Sequence, residues 1–249
     1  MRRLYIDLRM GISGDMFPAA CYQFINKDAK SILESSLKKA CKELGIDFKI
    51  DRVTDEPGFG SSLSWLGGDR ISVKDPKEAI GTIRNLGESA GLSEFSRILV
   101  DRIMNDIIEA EADAHRISLD KVHLHEVGRK GALMNIVASG LCFDLLERRR
   151  LIASYISIGD GMVETAHGIL KIPVPASAHL LRNMRFRFGP FEGEMATPTG
   201  IAIARNIIEE QVDYLPEASR RSVGYGEKTF NGRKGFVRLF ESGTTSQGD

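Results

Sequence analysis

Leu4-Tyr-Ile-Asp-Leu8, then Gly11-Ile-Ser-Gly-Asp15, then Met16-Phe-Pro-Ala-Ala-Cys-Tyr-Gln-Phe-Ile25 opens the chain and places it among folds that mix strand and helix. The first piece is a short β-like run and the last a near-continuous apolar segment that reads as a buried helix. Between them, two glycines break the periodicity. Strand, glycine turn and helix in succession point free backbone N–H groups at whatever lies before the helix, which suits an anion. The turn lacks the Gly-Lys-Ser/Thr of a Walker A loop and the full G-x-G-x-x-G fingerprint, so a plain tight turn explains it as well. Gly11, Ser13, Gly14 and Asp15 are therefore candidate binding residues. Asp15 also reads as a simple helix cap.

Working outward, the pattern alternates between helix and strand. A helix is expected over Ala29–Leu44, closed by Gly45, and a half-buried strand over 46–51. Glu56–Gly68 is rich in Gly and Ser around Trp65 and reads as a β-turn region or a hairpin, with a strand expected over Arg70–Val73. Asp75-Pro-Lys-Glu78 joins an N-cap, a first-turn proline and a capping-box glutamate. Ser93 caps a long helix with an expected buried stripe of Phe95, Ile98, Leu99, Ile103, Ile107, Ala110 and Ala114. Another helix is expected over 132–146, and a β-rich run over Leu151–Ile158. Pro173 and Pro175 mark an edge or extended passage, and a helix is expected from Ile201 to Glu210. Two last strands, 222–226 and 235–240, precede a polar tail over 241–249 that reads as disordered. The fold class is α/β with α+β mixture: a mixed sheet with packed helices. One domain over 1–240 is expected, with 1–150 and 151–240 as two closely joined lobes.

Composition removes several function classes. Lys+Arg and Asp+Glu stand at 34 each, so no global field draws the chain to nucleic acid or an anionic membrane. No run approaches the roughly 20 apolar residues of a membrane-spanning helix. Three cysteines far apart argue against a disulfide scaffold and suit a reducing, cytoplasmic setting.

The chemistry gathers in Asp120-Lys-Val-His-Leu-His-Glu-Val-Gly128. His123 and His125 project to one side of an extended segment, because side-chain direction there has period two. Upstream, Glu111 and His115 are four apart and share a helix face. Alone, that pair reads as a helix-end histidine favoured by the dipole. Together with Glu126, these groups form a candidate set for Zn²⁺, Ni²⁺ or a similar ion. His123, His125, Glu126 and Glu111 are the candidate metal ligands; His115, His167 and Glu126 are the candidate acid–base groups. His167, on a loop beside Gly168, also fits a structural hydrogen bond. Thr197-Pro-Thr-Gly200 precedes a helix, so Thr197, Thr199 and Gly200 read as a cap or as a receptor for phosphate or carboxylate.

Five segments carry a wider resemblance: Tyr5-Ile-Asp7 with Gly11-Ile-Ser-Gly-Asp-Met16, Ala110-Glu-Ala-Asp-Ala-His115, Val122-His-Leu-His-Glu-Val-Gly128, Thr165-Ala-His-Gly-Ile-Leu-Lys-Ile-Pro-Val-Pro-Ala176 and Glu194-Met-Ala-Thr-Pro-Thr-Gly200. In this order they resemble the LarC family, the nickel-insertion proteins of nickel-pincer cofactor synthesis. The resemblance implies CTP-dependent insertion of Ni²⁺ into pyridinium-3,5-bisthiocarboxylic acid mononucleotide. It also implies that CTP, with Mg²⁺ or Mn²⁺, is bound through a C-terminal region that this chain lacks or that a separate chain supplies. A homo-oligomer is a further expectation. Two positions depart from the family: Gly131 and Asn135 stand where it usually carries aspartates, and no histidine lies within 69–75. Those departures open a rival expectation, a non-catalytic metallochaperone or assembly subunit.

Overall fold

The computed structural model describes residues 3–242 except 71, 150, 166–167 and 216. The first half runs β1 (Leu4–Asp7), α1 (Met16–Phe24), α2 (Lys27–Leu44), β2 (Asp47–Asp55), β3 (Gly58–Leu66), α3 (Pro76–Ala90), α4 (Glu94–His115) and α5 (Lys130–Leu145). Short strands follow: β4 (Leu151–Ala153), β5 (Ile156–Ser157), β6 (Gly159–Asp160), β7 (Met162–Thr165) and β8 (Gly168–Lys171). The chain continues through α6 (Pro175–Leu180), β9 (Phe186–Arg187), β10 (Gly193–Glu194), α7 (Pro198–Ile207) and β11 (Ile208–Gln211). It closes with the long pair β12 (Ala218–Phe230) and β13 (Arg233–Ser242).

Seven strands form one mixed sheet in the order β11-β4-β1-β13-β12-β3-β2. β1 lies parallel to β4 and antiparallel to β13, so the first and last strands pair at its centre. Strands from 1–150 and from 151–242 thus share a single sheet. Alternation along each strand sorts the two faces. Leu4, Ile6, Val237 and Leu239 turn into the main core, while Tyr5, Ile152 and Phe240 form a small cluster of their own. The helices gather on the main-core side around α5, which is apolar all round and buries Leu133, Ile136, Val137 and Leu141. Such a helix has to be central, since it has no face to offer water.

Local signals explain most boundaries. Asp75 Oδ1 accepts the N–H groups of Lys77 and Glu78 at 2.9 and 3.0 Å, starting α3. Ser93 Oγ accepts from Ser96 N and starts α4, while Gly45 closes α2 in the left-handed region at φ 61°. The Gly/Ser-rich stretch is a true hairpin, with β2 and β3 antiparallel and Thr54 opposite Phe59.

Five expectations are corrected. Residues 70, 72 and 73 form no strand; the N–H groups of Ser72 and Val73 both donate to Gly128 O, tying this passage to the His-Glu segment. Phe95 and Ile98 are 50% and 49% exposed. The buried face of α4 runs instead through Leu99, Val100, Ile103, Met104 and Ile107, because α3, α5, α6 and α7 all pack against it. α7 stops at Ile207, and 208–211 form β11, since β4 takes them as its outer partner. The run 151–158 is broken at 154–155 into β4 and β5. Of the tail, 241–242 complete β13 and 243–249 lie outside the described residues.

Candidate functional site

The glycine turn and the threonine loop are clasped together. Ile12 N donates to Met195 O, and Thr197 N donates back to Ile12 O, both at 3.0 Å. The approach is close enough that a Cβ on Gly200 would lie 2.3 Å from Ile12 O. Only glycine permits that contact. Thr197 Oγ1 accepts from Gly200 N at 3.2 Å and caps α7. Pro198 has no N–H, and Thr199 sits in the first turn, where no helical carbonyl precedes its N–H.

Beside this clasp, two cavities of about 820 and 490 Å³ open next to each other. Glu126, Arg129, Thr197, Thr199 and Lys228 line both, so they form one groove with a common middle. The larger end reaches Glu111 and His115 at the close of α4, and the β7–β8 hairpin. Glu111 Oε2 and His115 Nε2 stand 3.7 Å apart on one helix face, as their spacing predicts. The smaller end is walled by Ser13, Gly14, Asp15, Trp65 and Asn135.

Asp15 is the buried charge of the smaller end. The residue is 7% exposed. Burial pushes its pKa up to about 6, against the lowering effect of the Ser13 hydroxyl, which donates to Oδ1 at 2.5 Å. Oδ2 is buried and meets no donor among the described residues. The side chain makes no capping bond to α1, so the simple-cap reading does not describe it.

The His-Glu segment runs beside the groove. Leu124 N donates to Lys74 O at 2.9 Å, and Glu126–Gly128 form a short 3₁₀ turn. Val122 and Leu124 are buried while His123 is exposed and His125 half-buried, which is the period-two alternation expected. Of that segment's candidate ligands, Glu126 lines the groove; His123 and His125 line neither end. Among the described residues, no three His, Cys, Asp or Glu side chains are grouped so as to hold a metal ion. His167 lies outside the described residues.

The two departing positions are occupied by packing. Asn135 Oδ1 accepts from Trp65 Nε1 at 2.7 Å. Gly131 N donates to Gly68 O at 2.8 Å, and a Cβ there would meet Trp65 Cδ1 at 3.2 Å. Trp65 also tilts against Phe48, its cross-strand neighbour, at 6.2 Å between ring centroids.

A family model described as "Nickel insertion protein" matches residues 4–248. The chain belongs to the nickel insertion protein family. It is 32% identical over 242 residues to the pyridinium-3,5-bisthiocarboxylic acid mononucleotide nickel insertion protein of Clostridium kluyveri, an alignment covering 91% of this chain and 58% of that protein. The protein of the same description from Alkaliphilus metalliredigens is 37% identical over 245 residues, covering 91% of this chain and 57% of that protein. This chain therefore spans less than two thirds of the length of these relatives. No solved structure matches it.

Sequence reasoning missed the groove's two cations. Arg129 directly follows the His-Glu-Val-Gly segment, and Lys228 sits far away in β12, held at 2.8 Å by Glu194. Nothing in local spacing marks Lys228. These two cations share the middle of the groove with Glu126, beside the N-terminus of α7.

Proposed function

We propose that this chain is the precursor-binding part of a nickel-insertion enzyme of nickel-pincer cofactor biosynthesis. It takes pyridinium-3,5-bisthiocarboxylic acid mononucleotide in the groove and receives nickel, as a substrate, beside it. The observation that carries this reading is convergence. The glycine turn, the capped N-terminus of α7, the Glu111/His115 pair and Glu126 come from four separate parts of the chain and face one groove.

In this reading the phosphate lies against Arg129, Lys228 and the first turn of α7, where charge and the Thr199 N–H act together. Nickel is received at Glu126 and Glu111, the two candidate ligands that line the groove. Metal insertion displaces water or protons from the ligand atoms, and the His115 imidazole at the groove wall is placed to take one, with His167 and Glu126 as further carriers. CTP with Mg²⁺ or Mn²⁺ is the co-substrate, held by sequence beyond this chain in the longer proteins or by a separate C-terminal chain. A cytoplasmic setting and self-association complete the proposal. No helix among the described residues is long and apolar enough to cross a membrane.

The test is a titration of the chain with precursor and with Ni²⁺, followed by mass spectrometry of precursor incubated with nickel, CTP and a C-terminal family fragment. Saturable precursor binding and a nickel-bearing product are expected, with binding weakened at least tenfold in Arg129→Ala. Absence of precursor binding refutes the reading. A second reading, a precursor-binding subunit without turnover, is favoured by the engagement of Asn135 and Gly131 in packing. Precursor binding with neither nickel binding nor product selects it.

A further inference from the structure

The smaller end of the groove carries more negative charge than suits a neighbouring anion. Asp15, Asp69, Glu126 and Glu227 line it, against Arg129 and Lys228, and Lys228 is already paired with Glu194 at 2.8 Å. The precursor of the present reading is itself an anion at both ends, with a phosphate on its ribose and two thiocarboxylates on its ring. Its phosphate in the shared middle faces carboxylates across the smaller cavity, a repulsion that a further cation removes. Asp15 marks where that cation belongs. The side chain is buried and lines the cavity; the Ser13 hydroxyl takes Oδ1, and Oδ2 meets no donor among the described residues. A buried carboxylate recovers its desolvation cost through a cation. Glu227 stands near enough for its charge to act on Asp15. The kind of cation follows from the donor set. The lining of the smaller end holds neither His nor Cys, and no three metal-binding side chains are grouped among the described residues. That suits neither Zn²⁺ nor Ni²⁺. Mg²⁺ makes do with one or two carboxylates, keeps several waters and completes its shell with substrate phosphate.

We propose that the smaller end holds a hydrated Mg²⁺, with Asp15 as its direct ligand, Asp69 and Glu227 as acceptors for its waters, and the precursor's phosphate as its partner. This rests on the mononucleotide reading and deepens it. The phosphate lies between Mg²⁺ on one side and Arg129 and Thr199 on the other, and the ring turns into the larger end, where Glu111, Glu126 and His115 stand. The nickel ion, a cation between that acidic wall and the thiocarboxylates, then offsets the second repulsion. The Mg²⁺ site is separate from the nickel and from the metal that accompanies CTP. The glycine turn serves this cation, because it delivers Asp15 and Ser13.

Mn²⁺ is the probe, since it substitutes for Mg²⁺ and its free form is counted by electron paramagnetic resonance. Titration of the wild-type chain with Mn²⁺ alone is expected to show a saturable site that excess Mg²⁺ empties. Asp15→Asn, of nearly the same volume, is expected to weaken Mn²⁺ about tenfold while its circular dichroism stays that of wild type. Nicotinamide mononucleotide has the ribose phosphate but no thiocarboxylate to chelate the metal. It is expected to raise Mn²⁺ affinity about fivefold, and Mn²⁺ to raise its affinity by the same factor, as linkage requires. No saturable Mn²⁺ binding, or equal binding by wild type and Asp15→Asn, overturns the cation site. Precursor binding by calorimetry in metal-free buffer then leaves the mononucleotide reading standing. Mn²⁺ bound at Asp15 without the coupling overturns the placing of the phosphate against the metal. A precursor silent by calorimetry both with and without Mn²⁺ brings down the reading beneath, whatever the metal does.

Discussion

Asp15→Asn tests the account of the site through stability alone, with no ligand present. The wild-type carboxyl has its pKa raised from the ordinary 3.8 to about 6, chiefly by burial, with Glu227 raising it further and Ser13 and Lys234 opposing. A raised folded-state value means that the native protein holds the proton more tightly than the unfolded chain does. The stability this group contributes is therefore fully present below pH 3.8 and is lost as pH rises through about 6. The interval corresponds to about 3 kcal/mol at most, since each pK unit is worth about 1.4 kcal/mol. Asparagine fills nearly the same volume and does not ionise. Urea unfolding of wild type and Asp15→Asn across pH 4.5 to 8 measures the difference directly. The variant is expected to gain on wild type by about 2 kcal/mol over that range, with most of the change between pH 4.5 and 6.5. A stability difference that stays flat with pH would show that the carboxyl is not the buried, under-bonded group described.

Gly200→Ala is expected to force the glycine turn away from α7, since its Cβ would sit 2.3 Å from Ile12 O. A loss of about 2–4 kcal/mol in unfolding experiments and loss of precursor binding by calorimetry should follow. Ile103→Ala should cost about 2–5 kcal/mol and Ile98→Ala less than about 1, because the first is fully buried and the second 49% exposed; equal costs would refute the corrected face of α4. Asp144→Ala should destabilise by about 1–2 kcal/mol, as Asp144 accepts from both the N–H and the hydroxyl of Ser93 at the start of α4. Thermal unfolding checks it, and an unchanged midpoint would count against that cap.

The parts legible from sequence were those governed by nearest neighbours. The strand–turn–helix opening, the Asp75 and Ser93 caps and the glycine closure of α2 depend on residues within four positions of each other. The parts that were not legible depend on distant partners. Ile208-Glu-Glu210 has nothing against helix in its own chemistry; it becomes part of β11 because the outer edge of β4 offers a ladder. Phe95 and Ile98 fit a helical stripe by count, yet four neighbouring helices select a face turned away from them. At the site, the glycine turn, the threonine loop, Glu111, His115 and Glu126 were all marked by local pattern. Lys228 was not, because its role comes from β12 crossing the sheet beside β3, parallel at Gly224 and Ser61.

The same distinction bears on Gly131 and Asn135. By sequence alone these positions read as a loss, two carboxylates fewer near a candidate metal set. In the fold they are the reason Trp65 stands where it does. Gly131 leaves room for Cδ1 of the indole, and Asn135 holds its N–H. Asn135 also touches the glycine turn, for a Cβ on Gly14 would come within 2.7 Å of its amide nitrogen. A carboxylate at 135 would still accept from the indole, but it would set a second negative charge beside the buried Asp15. Each would raise the pKa of the other, leaving one of them protonated near neutral pH. Asn135→Asp is thus expected to keep the chain folded by circular dichroism, raise the pKa of Asp15 above 6, and shift the stability difference of Asp15→Asn, measured in that background, to higher pH. An unshifted profile would mean that the two side chains do not share one electrostatic environment.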